Sequence, residues 1–202
     1  NLAISFLGKT IFEKVGFQLS EGDRVGLVGP NGSGKTTLMR ILADEQSYDQ
    51  GDIHLAKGVT VGYLPQDVQE FGEGQLLHSI LMAVPGRLEL RKRLSKVEEE
   101  LAAASDEEQQ IALSAKLANL HEEQNTLDLR YPPHQAERIL AGLGFKQSDM
   151  ERPLAEFSGG WKMRAALSRL LYLKPDLLLM DEPTNHLDIP SVHWLEGFLQ
   201  EY

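Results

Sequence analysis

An α/β fold with a largely parallel central sheet is predicted by three features of this 202-residue chain. Short apolar runs alternate with segments of helical spacing. A glycine-rich loop, Gly29–Thr36, sits between one such run and one such helix. A second apolar run, Leu177–Met180, ends on the adjacent acids Asp181 and Glu182.

The elements follow in order. Residues 2–6, 15–19 and 24–28 are apolar or alternating, are separated by the turn-like FLGKT and SEGD, and are expected as strands. In residues 35–43, Leu38, Ile41 and Leu42 fall on one helical face. Residues 52–56 and 60–64 suggest a further pair of strands, broken at Lys57-Gly58. A helical reading begins near residue 75 and pauses at Pro85-Gly86. Residues 87–104 place Leu90, Leu94, Val97 and Leu101 at spacings of 4, 3 and 4, and residues 107–129 continue with Leu113, Leu117, Leu120, Gln124 and Leu127. These are heptad seams. Ser105 and Glu108 have capping-box spacing between them, and Pro132-Pro133 closes the second helix. A projecting antiparallel hairpin over about 87–130 is expected, because the apolar stripe is too narrow for a helix buried on two sides. Residues 161–173 form another amphipathic helix, stopped by Lys174-Pro175-Asp176, and a strand at 177–181 follows.

Composition bounds the function. The formal charge of −10 argues against an electrostatic grip on nucleic acid by the whole domain. The chain contains no cysteine, so disulfides and thiolate chemistry are excluded, which fits a reducing compartment. No apolar stretch approaches the roughly 20 residues needed to span a bilayer. The first residue is not Met, and the chain is expected to be a piece of a longer one.

The loop Gly29-Pro30-Asn31-Gly32-Ser33-Gly34-Lys35-Thr36 matches G-x-x-x-x-G-K-[ST] in the strand–loop–helix setting it requires. Its glycines let backbone N–H groups turn inward around phosphate oxygens, and the helix that follows adds its positive end. Lys35 is placed to reach the β- and γ-phosphates and Thr36 to ligate magnesium, with Thr37 next in line. Asp181, at the end of a buried strand, supplies the acidic metal partner, and Glu182, one residue on, is the candidate to polarise the attacking water.

Four more features narrow the class. Residues 157–164 read FSGGWKMR, with Ser158 lying 23 positions before Asp181. Gln66 stands in YLPQD, Asp188 closes DEPTNHLD, and Phe6 lies 23 positions before Gly29. Together these resemble the ABC ATPases, over the whole chain. The resemblance implies a P-loop NTPase of ABC type: a parallel core sheet, an antiparallel β subdomain, and a helical subdomain carrying the hairpin. It implies one ABC ATP-binding domain over 1–202, incomplete at its C-terminal end, with 1–66 and 154–202 as nucleotide-binding core and 67–153 as helical subdomain. The implied ligands are ATP and Mg²⁺. Phe6 stacks on adenine, residues 29–37 hold the phosphates, and Thr36, Gln66 and Asp181 surround the metal. Glu182 is catalytic with Lys35 and Gln66. Ser158, Gly159 and Gly160 form the signature that contacts ATP held by a partner domain, and Asp188 belongs to the D-loop.

SGGW in place of SGGQ, PTNHLD in place of PTSALD, and the hairpin between Gln66 and Ser158 resemble the ABC-F branch in particular. That implies a cytoplasmic protein without membrane insertion. It implies a second ABC domain, in the same chain or a homodimer, closing head to tail over ATP, and the ribosome as partner. The matching half is expected to be the first. A family histidine about thirty residues past Glu182 would lie beyond Tyr202, so these 202 residues alone are expected to hydrolyse ATP poorly. The competing functions are the ATP-binding subunit of a membrane transporter and a non-transport ABC ATPase in DNA repair.

The hairpin's charge is split. Residues 87–96 hold five bases (Arg87, Arg91, Lys92, Arg93, Lys96) against Glu89, a net +4, and residues 98–108 hold six acids and no base. The base of the first helix could meet RNA, whereas the tip would be repelled by it. Trp161 is read as a packing residue at the helix start, His186 as part of the D-loop turn, and His193 as an exposed helix residue.

Overall fold

The computed structural model describes residues 1–6, 9–67 and 74–202; the side chains of Phe6 and Lys9 lie outside the description. The chain divides into two compact units: residues 1–67 with 174–183, and residues 68–173 with 184–202.

In the first unit, strands β1 (Leu2–Phe6) and β2 (Lys9–Val15) pair antiparallel, with Leu2 opposite Val15, Ile4 opposite Phe12 and Phe6 opposite Lys9. The register shifts on both sides of Ile4. The expected 2–6 strand is present. The second strand lies at 9–15 instead of 15–19: Gly16 weakens the backbone preference there, and Phe17 and Leu19 are exposed. Helix α1 (Lys35–Leu42) follows the phosphate loop and buries Leu38 and Ile41.

Strand β3 (Val61–Leu64) pairs in parallel with β4 (Leu177–Met180), Val61 opposite Leu177 and Leu64 opposite Met180. A polar clasp starts this ladder. The Asp176 carboxylate accepts from Thr60 N–H at 2.8 Å and Thr60 Oγ1 at 2.7 Å, while Asp176 N–H donates to Thr60 Oγ1 at 3.0 Å. The ladder runs one step past the strands, where Asp181 N–H donates to Leu64 O at 3.0 Å. The parallel pair and the antiparallel pair are the sheets of the mixed α/β fold among the described residues.

Two expected strands are not formed. Residues 52–56 are irregular, so residues 61–64 take Leu177–Met180 as their partner. Arg24–Val28 is also outside any strand, with Val25 70% and Val28 94% exposed. The apolar run supplies suitable side chains, but a strand also needs a ladder partner. Gly26 in its middle and Gly29 just after it leave little intrinsic preference to hold the segment extended.

The second unit is helical: α2 (Leu76–Met82), α3 (Arg87–Ala103), α4 (Glu107–Arg130), α5 (Pro133–Gly142), α6 (Gly159–Leu173) and α7 (Ile189–Gln200). Its core gathers Leu76, Ile80, Ile139, Leu140, Leu143, Leu167, Leu171 and Tyr172, each almost fully buried. Helix α6 begins two residues earlier than expected, at Gly159, and ends where Lys174 takes φ 49°.

Helices α3 and α4 form the expected hairpin, packed chiefly on each other. Leu90, Leu94, Val97 and Leu120 bury the seam, and Leu113, Leu117 and Leu127 pack against it. Toward the tip, Glu98, Glu99 and residues 105–112 are exposed, so that end stands away from the unit's core. The cap is Asp106, not Ser105: its carboxylate accepts from Gln109 N–H at 3.0 Å. Asp106 reaches the third N–H of the turn and places its charge at the helix's positive end. At the base, Arg87 is buried. It pairs with Asp128 at 2.6 Å and donates to Tyr131 O at 3.2 Å, the same carbonyl that accepts from Tyr172 Oη at 2.7 Å.

Part of the +4 charge of residues 87–96 is paired within the unit. Besides Arg87–Asp128, Arg93 meets Glu123 at 3.1 Å, Lys96 approaches Glu100 at 3.9 Å, and Arg91 faces the His78 ring at 3.1 Å. Arg87 and Arg93 thus meet acids of α4 across the seam and Lys96 an acid of its own helix, while Arg91, Lys92, Arg93 and Lys96 stay exposed on α3.

Leu120→Ala opens a void in this seam and is expected to cost about 2–4 kcal/mol. Hydrogen exchange should speed up throughout α3 and α4 and stay unchanged in α6. Unchanged exchange in the hairpin would show that the seam does not hold it.

Candidate functional site

The first unit places the phosphate loop and the acidic strand end together. Gly34, the residue before α1, has φ 92°, and a Cβ there would come within 2.6 Å of Ile11 Cγ2 and 3.0 Å of Phe12 Cδ1. Both the dihedral and the close approach of β2 therefore require glycine. Lys35 Nζ turns back over the loop and donates to Gly29 O at 2.9 Å and Pro30 O at 3.0 Å. The ammonium is thus held over the loop that the first turn of α1 faces.

Thr36 Oγ1 donates to Asp181 Oδ2 at 2.5 Å, linking residues 145 positions apart. Asp181 is 4% exposed. A buried carboxylate needs a partner, and a hydroxyl donating to it contributes about 1.5–3 kcal/mol. The parallel ladder sets its position, because Asp181 is the residue that follows β4. Glu182 comes next, exposed, with φ 49°. That left-handed backbone costs on the order of 1–3 kcal/mol in a residue other than glycine and turns the side chain away from the strand direction. Gln66 Nε2 donates to Glu182 Oε2 at 3.3 Å.

Asn31, Gly32, Gly34, Lys35, Thr36, Thr37, Gln66 and Glu182, with Ile11, line one cleft of about 330 Å³. Of the expected site residues, Lys35, Thr36, Thr37, Gln66, Asp181 and Glu182 therefore converge, and Gly29, Pro30 and Ser33 complete the loop. Phe6 ends β1, but its side chain lies outside the described residues. Ile11 and Phe12, which pack against Gly34, had no sequence signal beyond an apolar alternation.

The donor set fits a magnesium–nucleotide. Among the described residues no group of three or more His, Cys, Asp or Glu could hold a metal alone. One hydroxyl and one carboxylate suit Mg²⁺, which keeps waters and takes its remaining oxygens from phosphate.

The second unit carries the residues expected to form the signature and the D-loop. Ser158 and Gly159 are exposed where α6 begins, so the first N–H groups of the helix open to solvent. Gly160 is half-buried, with His186 3.8 Å from the position a Cβ would take. Asp188 caps α7: its carboxylate accepts from Ser191 N–H at 2.9 Å and meets Arg164 Nη1 at 3.3 Å. The bonds from Ser191 first, then Arg164, hold its pKa below the usual carboxylate range. A depressed pKa gives stability that is present above the unfolded value and is lost as pH falls through the folded one.

Arg164 is a further residue that sequence reasoning missed. It donates from Nε to His186 O at 2.8 Å and from Nη1 to Leu143 O at 3.1 Å, and its guanidinium lies 4.6 Å from the Trp161 ring centre. Trp161 in turn packs on Phe145 at 4.9 Å. The tryptophan is thus a packing residue, as expected, and supports the arginine that ties the D-loop to the signature helix. The available signal was a cation three positions after an aromatic on one helix face. His193 is an exposed helix residue.

A glycine-rich loop before a helix, an acidic strand end against its threonine, and a second unit presenting Ser-Gly-Gly at a helix start define an ABC ATPase domain, a class that hydrolyses ATP. A family model described as "ABC transporter" matches residues 12–185, and the chain belongs to that family. It is 34% identical to ABC transporter F family member 5 of Arabidopsis thaliana, over all of this chain and 29% of that protein. It is 36% identical to ATP-binding cassette sub-family F member 3 of Pongo abelii, over all of this chain and 27% of that protein. The domain is of the ABC-F type, and the chain spans less than a third of these relatives.

Among solved structures, a dimeric post-hydrolysis ATP-binding cassette bound to ADP and Pi matches 100% of this chain and 80% of its own, with TM-score 0.64 and 17% identity. A complex of archaeal ribosomal stalk protein aP1 with the ribosome recycling factor aABCE1 matches 99% of this chain and 30% of its own, with TM-score 0.59 and 22% identity. At these identities the likeness is one of fold. No helix among the described residues is long and apolar enough to cross a membrane.

Lys35→Ala removes the ammonium from the cradle and is expected to weaken ATP binding at least about tenfold, measured by calorimetry. Arg164→Lys cannot bridge two carbonyls and a carboxylate from one planar group. Faster hydrogen exchange over residues 186–191 is expected, and unchanged exchange would show that the arginine does not hold the D-loop.

Proposed function

We propose that this chain is one ATP-binding domain of an ABC-F protein that binds and hydrolyses Mg–ATP and acts on the ribosome in the cytoplasm. The observation that carries the nucleotide site is the Thr36–Asp181 contact beside a lysine folded over the phosphate loop. On binding, Lys35 exchanges its two carbonyls for phosphate oxygens, and the loop N–H groups turn to the same ligand. Thr36 and Asp181, with Gln66, would hold the magnesium, which would supply charge screening for the phosphoryl transfer. Glu182 accepts a proton from the attacking water, with its carboxylate kept near Gln66 Nε2. Phe6 stacks on the base.

Ser158, Gly159 and Gly160 serve the nucleotide of a second ABC domain, in the same chain or a homodimer, and Asp188 lies at that interface. The open helix start at Ser158 supports this assignment, since its N–H groups suit an oxyanion. The dimeric cassette bound to ADP and Pi is a precedent of fold. The ribosome is proposed from the F-type relatives and from the fold shared with a structure containing a ribosome recycling factor. Residues 98–108 at the tip hold six acids and no base, so we place any ribosomal contact of the tip on protein, not RNA. We assign the nucleotide-binding core to 1–66 and 154–202 and the helical subdomain to 67–153.

The test uses the full-length protein with Glu182→Gln and the corresponding change in its other ABC domain. Hydrolysis is expected to fall by on the order of a hundredfold or more while ATP binding persists. The variant should then co-sediment with ribosomes only when ATP is present. Recovery in a membrane fraction without ribosome enrichment would overturn the proposal in favour of a transporter subunit.

A further inference from the structure

The turn at the lip of the phosphate cradle has a chemical weakness that its own geometry creates. Ser33 N–H donates to Pro30 O at 3.2 Å, so Asn31 and Gly32 are the two central residues of the turn. Gly32 takes φ 79°, although a Cβ there would meet nothing within 4 Å. Glycine is needed for the dihedral and not for room. The peptide nitrogen that joins Asn31 to Gly32 takes no part in the turn's hydrogen bond. Both residues are exposed, and both line the cleft. An asparagine side chain can close a five-membered ring with the next backbone nitrogen, and the main obstacle is a β-carbon on that next residue. Gly32 has none.

We propose that Asn31 is a site of spontaneous deamidation and that nucleotide in the cleft protects it; the protection rests on the nucleotide site proposed above. Gly32 N loses its proton to solvent and attacks Asn31 Cγ. The new C–N bond forms as the Cγ–Nδ2 bond breaks, and ammonia leaves. The cyclic imide then takes up one water and opens at either carbonyl, to aspartate or to β-linked isoaspartate. The net change is one water in and one ammonia out, with no oxidation. Either product adds a carboxylate where phosphate would sit, and the β-linked product also lengthens the turn's main chain by one methylene. Like charge and misdirected N–H groups both oppose phosphate. A phosphate already held there engages the loop's N–H groups and keeps the turn closed, which slows the ring closure. The residue that lets the loop curl around phosphate is thus the one that lets the empty loop age.

The chain contains its own controls. Asn119 and Asn125 lie within α4 before Leu120 and Thr126, and Asn185 is exposed but precedes His186.

The full-length protein is incubated in mildly alkaline buffer with and without saturating Mg–ADP, then digested with trypsin. The peptide Val25–Lys35 is followed for a mass gain of about 1 Da, and isoaspartate is scored by enzymatic methylation. Conversion at Asn31 is expected to be at least about tenfold faster than at Asn185 and to slow several-fold with Mg–ADP. The deamidated fraction, separated by ion exchange, is expected to bind nucleotide at least about tenfold more weakly than fresh protein. Asn31 reacting no faster than Asn185 would overturn the proposal. So would an unslowed rate in protein that direct binding shows to be saturated, or a deamidated fraction with unchanged affinity. Fresh protein with no affinity for Mg–ADP would overturn the nucleotide site and the protection with it, while inert Asn31 in protein that binds normally would overturn the deamidation alone.

Discussion

The contact between the Thr36 hydroxyl and the Asp181 carboxylate is the constraint on which the first unit depends. It joins the start of α1 to the end of β4, two segments with no local reason to meet. A carboxylate 4% exposed is tolerable only with a donor. The parallel ladder brings Asp181 to that depth, and the Asp176–Thr60 clasp sets the register at its other end. One residue beyond, the chain takes a left-handed backbone at Glu182 and moves from buried to exposed. Two adjacent acids therefore stand in different surroundings, which suits them to different tasks.

The second unit solves a different problem. It must present a helix start and a loop with defined geometry while remaining accessible. Arg164 does this by reading two carbonyls and a carboxylate from one planar group, backed by Trp161 and Phe145. The hairpin is a separate construction on the same unit. Its seam is apolar, its flanks are ion pairs, and its base is tied to α6 through Tyr131 and Tyr172.

Helices were legible in the sequence wherever the signal was local. Leu90, Leu94, Val97 and Leu120 announced both the hairpin and its buried stripe, and Pro85-Gly86 and Lys174-Pro175 marked real stops. Strands were less legible, because pairing is not local: Arg24–Val28 has the composition of a buried strand, and nothing within it specifies a partner. Charge pairing was hidden for the same reason. The bases of 87–96 could be counted from the sequence, but their pairing with Glu123 and Asp128 across the seam could not. Ser105 and Asp106 both make good caps, and only geometry shows which carboxylate or hydroxyl reaches Gln109 N–H. At the site, the motifs named Lys35, Thr36, Asp181 and Glu182. Ile11 and Arg164 went unseen because one acts by bulk against a glycine and the other through distant carbonyls.

The most direct measurement is a double-mutant cycle on Thr36→Val and Asp181→Asn, read as the affinity for ATP with and without Mg²⁺. If the two oxygens act on one metal, each single change should remove most of the Mg²⁺-dependent gain in affinity, and the double change should cost little more than either. Losses that simply add, or an undiminished Mg²⁺ dependence in both single variants, would contradict the shared site.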